Sequence, residues 1–337
     1  MYTPPFTITS DIVNLIAQIS AQIERYAIRL EQSDGLRLRK ANRIRTIHSS
    51  LAIEGNQLSE GQVRDIINGK QVVAPLREIQ EVKNAISTYD MFPSLDPFNE
   101  KDLLRAHATM MQALADDAGS YRREGVGGFS ETGLVHMAPP PDRVPLLMGD
   151  LFQWLKTAND HLLIRSCVFH YEFEFIHPFS NGNGRTGRLW QSLILGRLHP
   201  LFHHLPVENM VYSNQQEYYD AIAASTTEGE STPFITFMLN EILKTLKEHQ
   251  GEEKSGLHDK LHDKLHDKFP KVSESAWTIL DAIMENPRLK ALELAERTQL
   301  KERMVRTHLA TLKAFGLIER QGSNKTGYWK VNMEGMI

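Results

Sequence analysis

Cysteine occurs once in this 337-residue chain, at Cys167, so no disulfide can form within it and a covalently stapled scaffold is excluded. Cys167 sits inside an apolar run with helical spacing, which predicts a buried, inert thiol. No apolar stretch approaches the length needed to cross a bilayer. The opening MYTPPFTITSD has neither a basic start nor an apolar core, so a cytoplasmic chain with no membrane partner is expected. Excess charge of one sign is also lacking: the net charge is −4, so any nucleic-acid surface has to be local. With 41% hydrophobic and 24% charged residues, the chain is not disordered, and its length predicts about two domains.

What is present is mostly helical periodicity. From Asp11 to Leu30, the residues Val13, Leu15, Ile16, Ile19, Ile23 and Ala27 recur at helical spacing, with Ser10 or Asp11 as the cap. Further helices are predicted over 36–50, 59–67, 77–91 and 100–115. Between Tyr121 and Pro141, glycines alternate with Val126, Phe129, Leu134 and Val135, which predicts a short β-hairpin inserted among helices. Helical spacing returns over 144–156, 162–176, 186–198, 215–224 and 233–249. A low-complexity stretch, GEEKSG followed by tandem LHDK, forms a linker over 251–269. Its His258, His262 and His266 share a helix face, compatible with a metal site or with solvated repeat residues. Residues 270–337 then read as three short helices and a two-stranded hairpin.

The chemistry concentrates in HPFSNGNGRTGR, His177 to Arg188. Pro178 ends the preceding helix and holds His177 at a corner. Gly182 and Gly184 around Asn183 allow successive backbone N–H groups to turn inward as an anion nest. A helix starting at Arg185 or Thr186 adds its unpaired N–H groups, its dipole, and Arg185 and Arg188 on one turn, so phosphate is the natural ligand. A histidine beside a phosphate is suited to take the proton of an attacking hydroxyl, which makes phosphoryl or nucleotidyl transfer the reaction class. A plain loop whose glycines cap helices does not account for these features falling in one short window.

This window resembles the Fic motif, HPF-x-[DE]-GNGR-x-x-R, and the likeness extends over about residues 100–245. It implies a mainly α fold, a Fic helical bundle with a β-hairpin flap. It also implies a protein adenylyltransferase in which His177 deprotonates a Ser, Thr or Tyr hydroxyl that attacks the ATP α-phosphate. By the same resemblance, Gly182, Asn183 and Gly184 form the anion hole, Arg185 holds the phosphates, and Arg188 reaches the γ-phosphate. The flap Val126 to Val135 docks the target as an added strand, and Tyr218 and Tyr219 lie near the adenine or in the core. Asn181 stands where the family has Asp or Glu to ligate Mg²⁺, which predicts weaker metal dependence or slower transfer.

Ser50-Leu-Ala-Ile-Glu54-Gly55 resembles the inhibitory motif [ST]-x-x-x-E-[GN] of some Fic proteins. The resemblance implies that Glu54 pairs bidentately with Arg188 where the γ-phosphate binds, so that the enzyme restrains itself. Residues 270–332 resemble a winged helix-turn-helix domain, a small α+β module with Lys301 to Phe315 as recognition helix and Gly322 to Gly327 as wing tip. Lys301, Arg303, Arg306, Lys313, Arg320 and Lys325 are its candidate DNA contacts, diluted by Glu293, Glu296 and Glu302. The domain order is then an N-terminal helical region (1–98), a Fic core (99–250), the linker (251–269) and the winged helix (270–337), with a homodimer compatible. A DNA-binding regulator whose Fic domain senses nucleotide, and Fic enzymes that transfer phosphate or remove AMP, stay open.

Overall fold

The computed structural model describes residues 2–32, 35–130, 133–203, 205, 207–251, 272–285, 289–298, 300–321 and 328–331. The chain forms two compact units divided after Gln250. In the first, α1 (Ser10–Gln32) is capped one residue earlier than the sequence suggests, because Thr9 Oγ1 accepts the Ile12 N–H at 3.3 Å. Its buried face is Ile12, Leu15, Ile19 and Ile23, whereas Val13 is exposed.

Helix α2 (Gly35–Ala52) ends in a glycine-terminated Schellman motif. Gly55 has φ +89°, its N–H donates to Ala52 O at 3.0 Å, and the Asn56 N–H donates to Leu51 O at 3.2 Å. This places Glu54 inside the turn, directly before Gly55. A reciprocal capping box between Ser59 and Gln62 starts α3 (Glu60–Ile67), and Pro75 precedes α4 (Leu76–Asp90). Helix α5 (Glu100–Met110) stops short of the expected Ala115. Buried Asn84 of α4 donates through Nδ2 to the carbonyls of Met110 at 3.2 Å and Gln112 at 2.7 Å, and Ala113 follows at φ +58°. A tertiary cap thus ends a helix that local periodicity would have continued.

Strands β1 (Gly127–Ser130) and β2 (Gly133–Met137) pair antiparallel, with Gly127 opposite Met137, Phe129 opposite Leu134, and a bulge between Gly128 and Phe129. Helix α6 (Val144–Thr157) leads to α7 (Leu162–Ile176), which is buried nearly all round, as befits a central helix. Helix α8 (Asn183–Leu198) packs on it, and Phe169, Phe173 and Trp190 are fully buried; Trp190 Nε1 donates to Pro97 O at 3.0 Å. A short helix α9 (Val207–Ser213), unseen in the sequence reading, packs on α2. Helices α10 (Gln215–Glu228) and α11 (Thr232–Gly251) complete the unit. One continuous core runs from Ile12 to Leu246, so α1–α4 belong to the same body as the later helices.

The second unit has α12 (Glu274–Glu285), α13 (Ala291–Thr298), α14 (Glu302–Ala314) and the antiparallel pair β3 (Ile318–Gln321) and β4 (Tyr328–Val331). They enclose a separate core of Trp277, Ile283, Leu294, Val305, Leu312 and Ile318. The LHDK repeat and the expected wing tip lie outside the described residues.

Replacing Asn84 by alanine leaves two carbonyls at the end of α5 without their donor. Chemical denaturation should show a loss of about 1–3 kcal/mol. An unchanged midpoint would mean that α5 is ended by something else.

Candidate functional site

Helix α7 ends on His177, which adopts φ +50°, ψ +61°, a left-handed conformation that costs a non-glycine residue energy and needs support. Arg122, a residue the sequence reading passed over, supplies it. Its Nε donates to His177 O at 2.8 Å, Nη1 to Glu124 O at 2.9 Å, and Nη2 to Pro139 O at 2.6 Å and Ile176 O at 3.3 Å. The same residue's N–H donates to Pro178 O at 2.9 Å. One buried guanidinium thus joins both ends of the hairpin segment to the His177 corner, and burial lowers its proton affinity.

The loop after His177 is held from within and from below. The Asn183 carboxamide accepts the Phe179 N–H at 2.9 Å and donates to Phe179 O at 2.8 Å. Asn183 therefore spends its side chain on loop shape. From α5, His107 stacks on Phe179 at 3.6 Å between ring centres and contacts the Asn181 carbonyl through Nε2 at 2.9 Å. Burial pushes His107 down to about 4, against the Asn181 carbonyl, which favours the proton. Gly182 has φ +81°, and a Cβ there would lie 2.6 Å from Met111 Sδ, so glycine is required twice over.

Helix α8 begins at Asn183, two residues earlier than expected, so the first N–H groups of the helix come from the motif's own Asn183, Gly184 and Arg185. Over them lies Glu54: a Cβ on Gly184 would come 2.6 Å from Glu54 Oε1. Arg188 Nη2 donates to Glu54 Oε1 at 2.8 Å and to Ser50 O at 3.1 Å. The pair is therefore made through one guanidinium nitrogen rather than bidentately, and the same nitrogen also serves the Ser50 carbonyl of α2. Arg188 is 2% exposed and Glu54 29%. Burial pushes the Glu54 carboxyl up, but Arg188, with Arg185 and His177 behind it, holds it below the usual carboxylate range. Burial likewise works against the Arg188 charge, and Glu54 outweighs it.

Arg185 is also buried; its Nη2 donates to Asn181 Oδ1 at 3.3 Å and Nη1 stands 4.0 Å from Glu81 Oε1. Among the described residues, Arg185 Nε and Nη1 and Arg188 Nε find no hydrogen-bond acceptor. Buried donors of this kind call for an anionic ligand. For Mg²⁺ the donor set is poor. Asn181 Oδ1 already faces the Arg185 guanidinium, its backbone carbonyl is taken by His107, and no group of three or more His, Cys, Asp or Glu suited to a metal ion lies among the described residues. A hard cation that prefers carboxylate oxygens does not fit such a place, so these residues make no magnesium site of their own.

Two buried acids behind the arginines carried no motif and were missed. Glu174 Oε1 lies where a Gly187 Cβ would come within 2.7 Å of it, and burial pushes this carboxyl up to about 7 against the pull of Arg188. Glu208 of α9 accepts the Tyr89 hydroxyl at 2.7 Å and is likewise pushed up to about 7 by burial. Tyr218 is buried, its hydroxyl 3.1 Å from His170 Nε2, while its neighbour Tyr219 is half exposed. The hairpin backbone spans the segment expected as the flap. In the second unit, Arg306 is engaged by Glu302 at 2.6 Å, and Lys313 and Arg320 lie over the Trp329 ring at 5.1 and 4.8 Å. Exposed Lys301 and Arg303 stand at the start of α14.

The first unit is thus a helical bundle with an inserted hairpin, carrying a histidine corner and a glycine-rich loop at a helix N-terminus. Residues 97–195 match the Fic/DOC family, and residues 273–319 match the family described as winged helix-turn-helix DNA-binding. A crystal structure of a Fic family protein from Desulfovibrio desulfuricans G20 is 41% identical, with a TM-score of 0.72 and 98% of both chains covered. The chain belongs to the Fic family. A protein adenylyltransferase Fic from Culex quinquefasciatus is 30% identical over 62% of this chain and 42% of its own length, so this chain spans less than half of that curated relative. The structure of Fic-1 (residues 134–508) from Caenorhabditis elegans shares the fold, at 21% identity and a TM-score of 0.55 over 73% of this chain and 72% of its own.

The raised Glu208 carboxyl yields a pH test. The folded chain keeps its proton up to about pH 7, whereas an unfolded chain releases it near the ordinary 4.5, so its contribution to stability falls as pH rises between those values. Glu208→Gln still accepts the Tyr89 hydroxyl but does not titrate. Relative to the parent it should gain roughly 1–3 kcal/mol between pH 5 and pH 8. Parallel stability curves would sink this assignment.

Proposed function

We propose that this chain is a protein adenylyltransferase that restrains itself through Glu54. The observation that carries the proposal is the start of α8, where helix N–H groups and the partly unpaired guanidinium groups of Arg185 and Arg188 converge beside His177, with a carboxylate of the chain lying over them. A triphosphate satisfies such donors better than one carboxylate does, because it brings more oxygens and more charge.

On this reading, ATP lays its phosphates along Gly182, Gly184 and Arg185, and its γ-phosphate takes the place of Glu54 on Arg188. A target protein adds an extended segment to the edge of the hairpin and presents a Ser, Thr or Tyr hydroxyl. His177 takes the hydroxyl proton at its ring nitrogen as the oxygen bonds to the α-phosphorus. The bond from that phosphorus to the bridging oxygen breaks, pyrophosphate leaves, and AMP stays on the target. Arg122 serves this step by keeping the His177 corner and the hairpin ends in fixed relation. Exposed Lys301 and Arg303 at the start of α14, within the stretch that matches the winged helix-turn-helix DNA-binding family, support the second reading of a DNA-bound nucleotide sensor.

The two readings part on one experiment, mass spectrometry of Glu54→Gly protein incubated with ATP. A gain of about 329 Da on a hydroxyl-bearing residue supports AMP transfer, about 80 Da means phosphate transfer, and an unmodified chain that still binds ATP supports the sensor. In the same background, Asn181→Asp supplies the missing carboxylate. Its transfer rate should respond several-fold more steeply to Mg²⁺ than the parent's. Identical responses would remove Asn181 from any account of the metal.

A further inference from the structure

His107 lies under the phosphate-binding loop, 1% exposed, and both of its ring nitrogens have partners whose chemistry is fixed. The backbone N–H of Gly119 donates to Nδ1 at 2.9 Å, so Nδ1 carries a lone pair. The neutral ring must then bear its proton on Nε2, and the Asn181 carbonyl 2.9 Å away can only accept. Gly119 is suited to this task, because its φ of +82° and the 2.7 Å approach of Ala108 Cβ to the Cβ position exclude a side chain. Gly119 N–H, the imidazole and the Asn181 carbonyl thus form a directed chain of donors with one allowed tautomer.

The consequence falls on the next peptide. In a trans peptide the C=O and N–H point in opposite directions, so a carbonyl aimed down at α5 turns the Gly182 N–H away from α5, to the open side of the loop. Gly182 takes either sign of φ at little cost, so the Asn181–Gly182 peptide has no strong intrinsic reason to keep this orientation. Turned over, it would present a carbonyl oxygen where an anion has to bind.

We propose that His107 is a positioning residue for the nucleotide: as the Nε2–H tautomer set by Gly119, it pins the Asn181–Gly182 peptide with its N–H facing the anion site. The proposal rests on the reading of residues 182–185 as a phosphate site. Sequence offered no sign of it, since a lone histidine in an amphipathic helix reads as ordinary core.

Two substitutions separate the bonds. His107→Gln keeps a donor at the Nε2 position and loses the acceptor for Gly119; His107→Asn keeps that acceptor and cannot reach Asn181. In the Glu54→Gly chain, calorimetric titration with ATP and with tripolyphosphate should place the Gln variant within about threefold of the parent and the Asn variant about tenfold weaker. Long-range ¹H–¹⁵N spectra of the parent should show a bare Nδ1 and a protonated Nε2, and the Gly182 amide resonance should be kept in the Gln variant and displaced in the Asn variant. A protonated Nδ1, an unmoved Gly182 amide in His107→Asn, or ATP affinity lost equally in both variants would overturn the proposal. If the parent binds neither ATP nor tripolyphosphate, the phosphate reading fails, and the tautomer and the Gly182 amide still decide the role of His107.

Discussion

A guanidinium buried as deeply as Arg188 has to keep an anion beside it, because an unpaired charge removed from water costs several kcal/mol. In this chain the anion is Glu54, and much of the first unit exists to deliver it. The left-handed Gly55 ends α2 where Glu54 can turn over Gly184, Ser50 offers its carbonyl to the same guanidinium nitrogen, and α9 holds α2 in place. The arrangement is asymmetric. Arg188 is buried, whereas Glu54 keeps about a third of its side chain in water and contacts a single nitrogen. Moving such a carboxylate out costs little in solvation, provided another anion takes its place on Arg188. The contact can therefore be strong as it stands and still give way where another anion reaches Arg188.

The loop between α7 and α8 meets a different demand, that its backbone N–H groups be aimed before a ligand arrives. Here the aim is set mainly through carbonyl groups. Arg122 grips those of Ile176 and His177, His107 that of Asn181, and the Asn183 carboxamide that of Phe179. At Asn181 and Phe179 the fixed carbonyl also sets the direction of the N–H that shares its peptide, that of Gly182 and Ser180, whereas the Arg122 contacts fix the corner itself, since Pro178 has no N–H and the His177 N–H donates to Phe173 O. Preorganisation of this kind spares a loop from reordering its dipoles when an anion arrives.

These same features mark where sequence stopped being legible. Periodicity found α1 to α8, α10 and α11 and the three helices of the second unit, because each has an apolar face that repeats, and the motif residues were legible because glycine, proline and arginine have few reasons to cluster. It missed α9, which has only 7 residues, and carried α5 past Met110, because the stop is made by Asn84 from another helix. His107, Arg122 and Glu208 gave no local signal either: the contacts of His107 with Asn181, Arg122 with His177 and Glu208 with Tyr89 join residues 74, 55 and 119 apart. The single-nitrogen geometry of the Arg188 pair was out of reach for the same reason, since it depends on how α2 meets α8, 134 residues away.

Asn181 alters the charge balance of the loop more than its size. A carboxylate there would stand against Arg185 and draw its guanidinium into an ion pair, while offering a metal ion hard oxygen. The amide at 3.3 Å from Nη2 does neither, and Glu81, 4.0 Å from Nη1, is too far for a close pair. Arg185 therefore keeps Nε and Nη1 uncommitted in a buried place, where a charge interacts strongly with whatever anion enters. An anion entering here would meet donors fixed on α8 and a loop held from beneath by its carbonyl anchors.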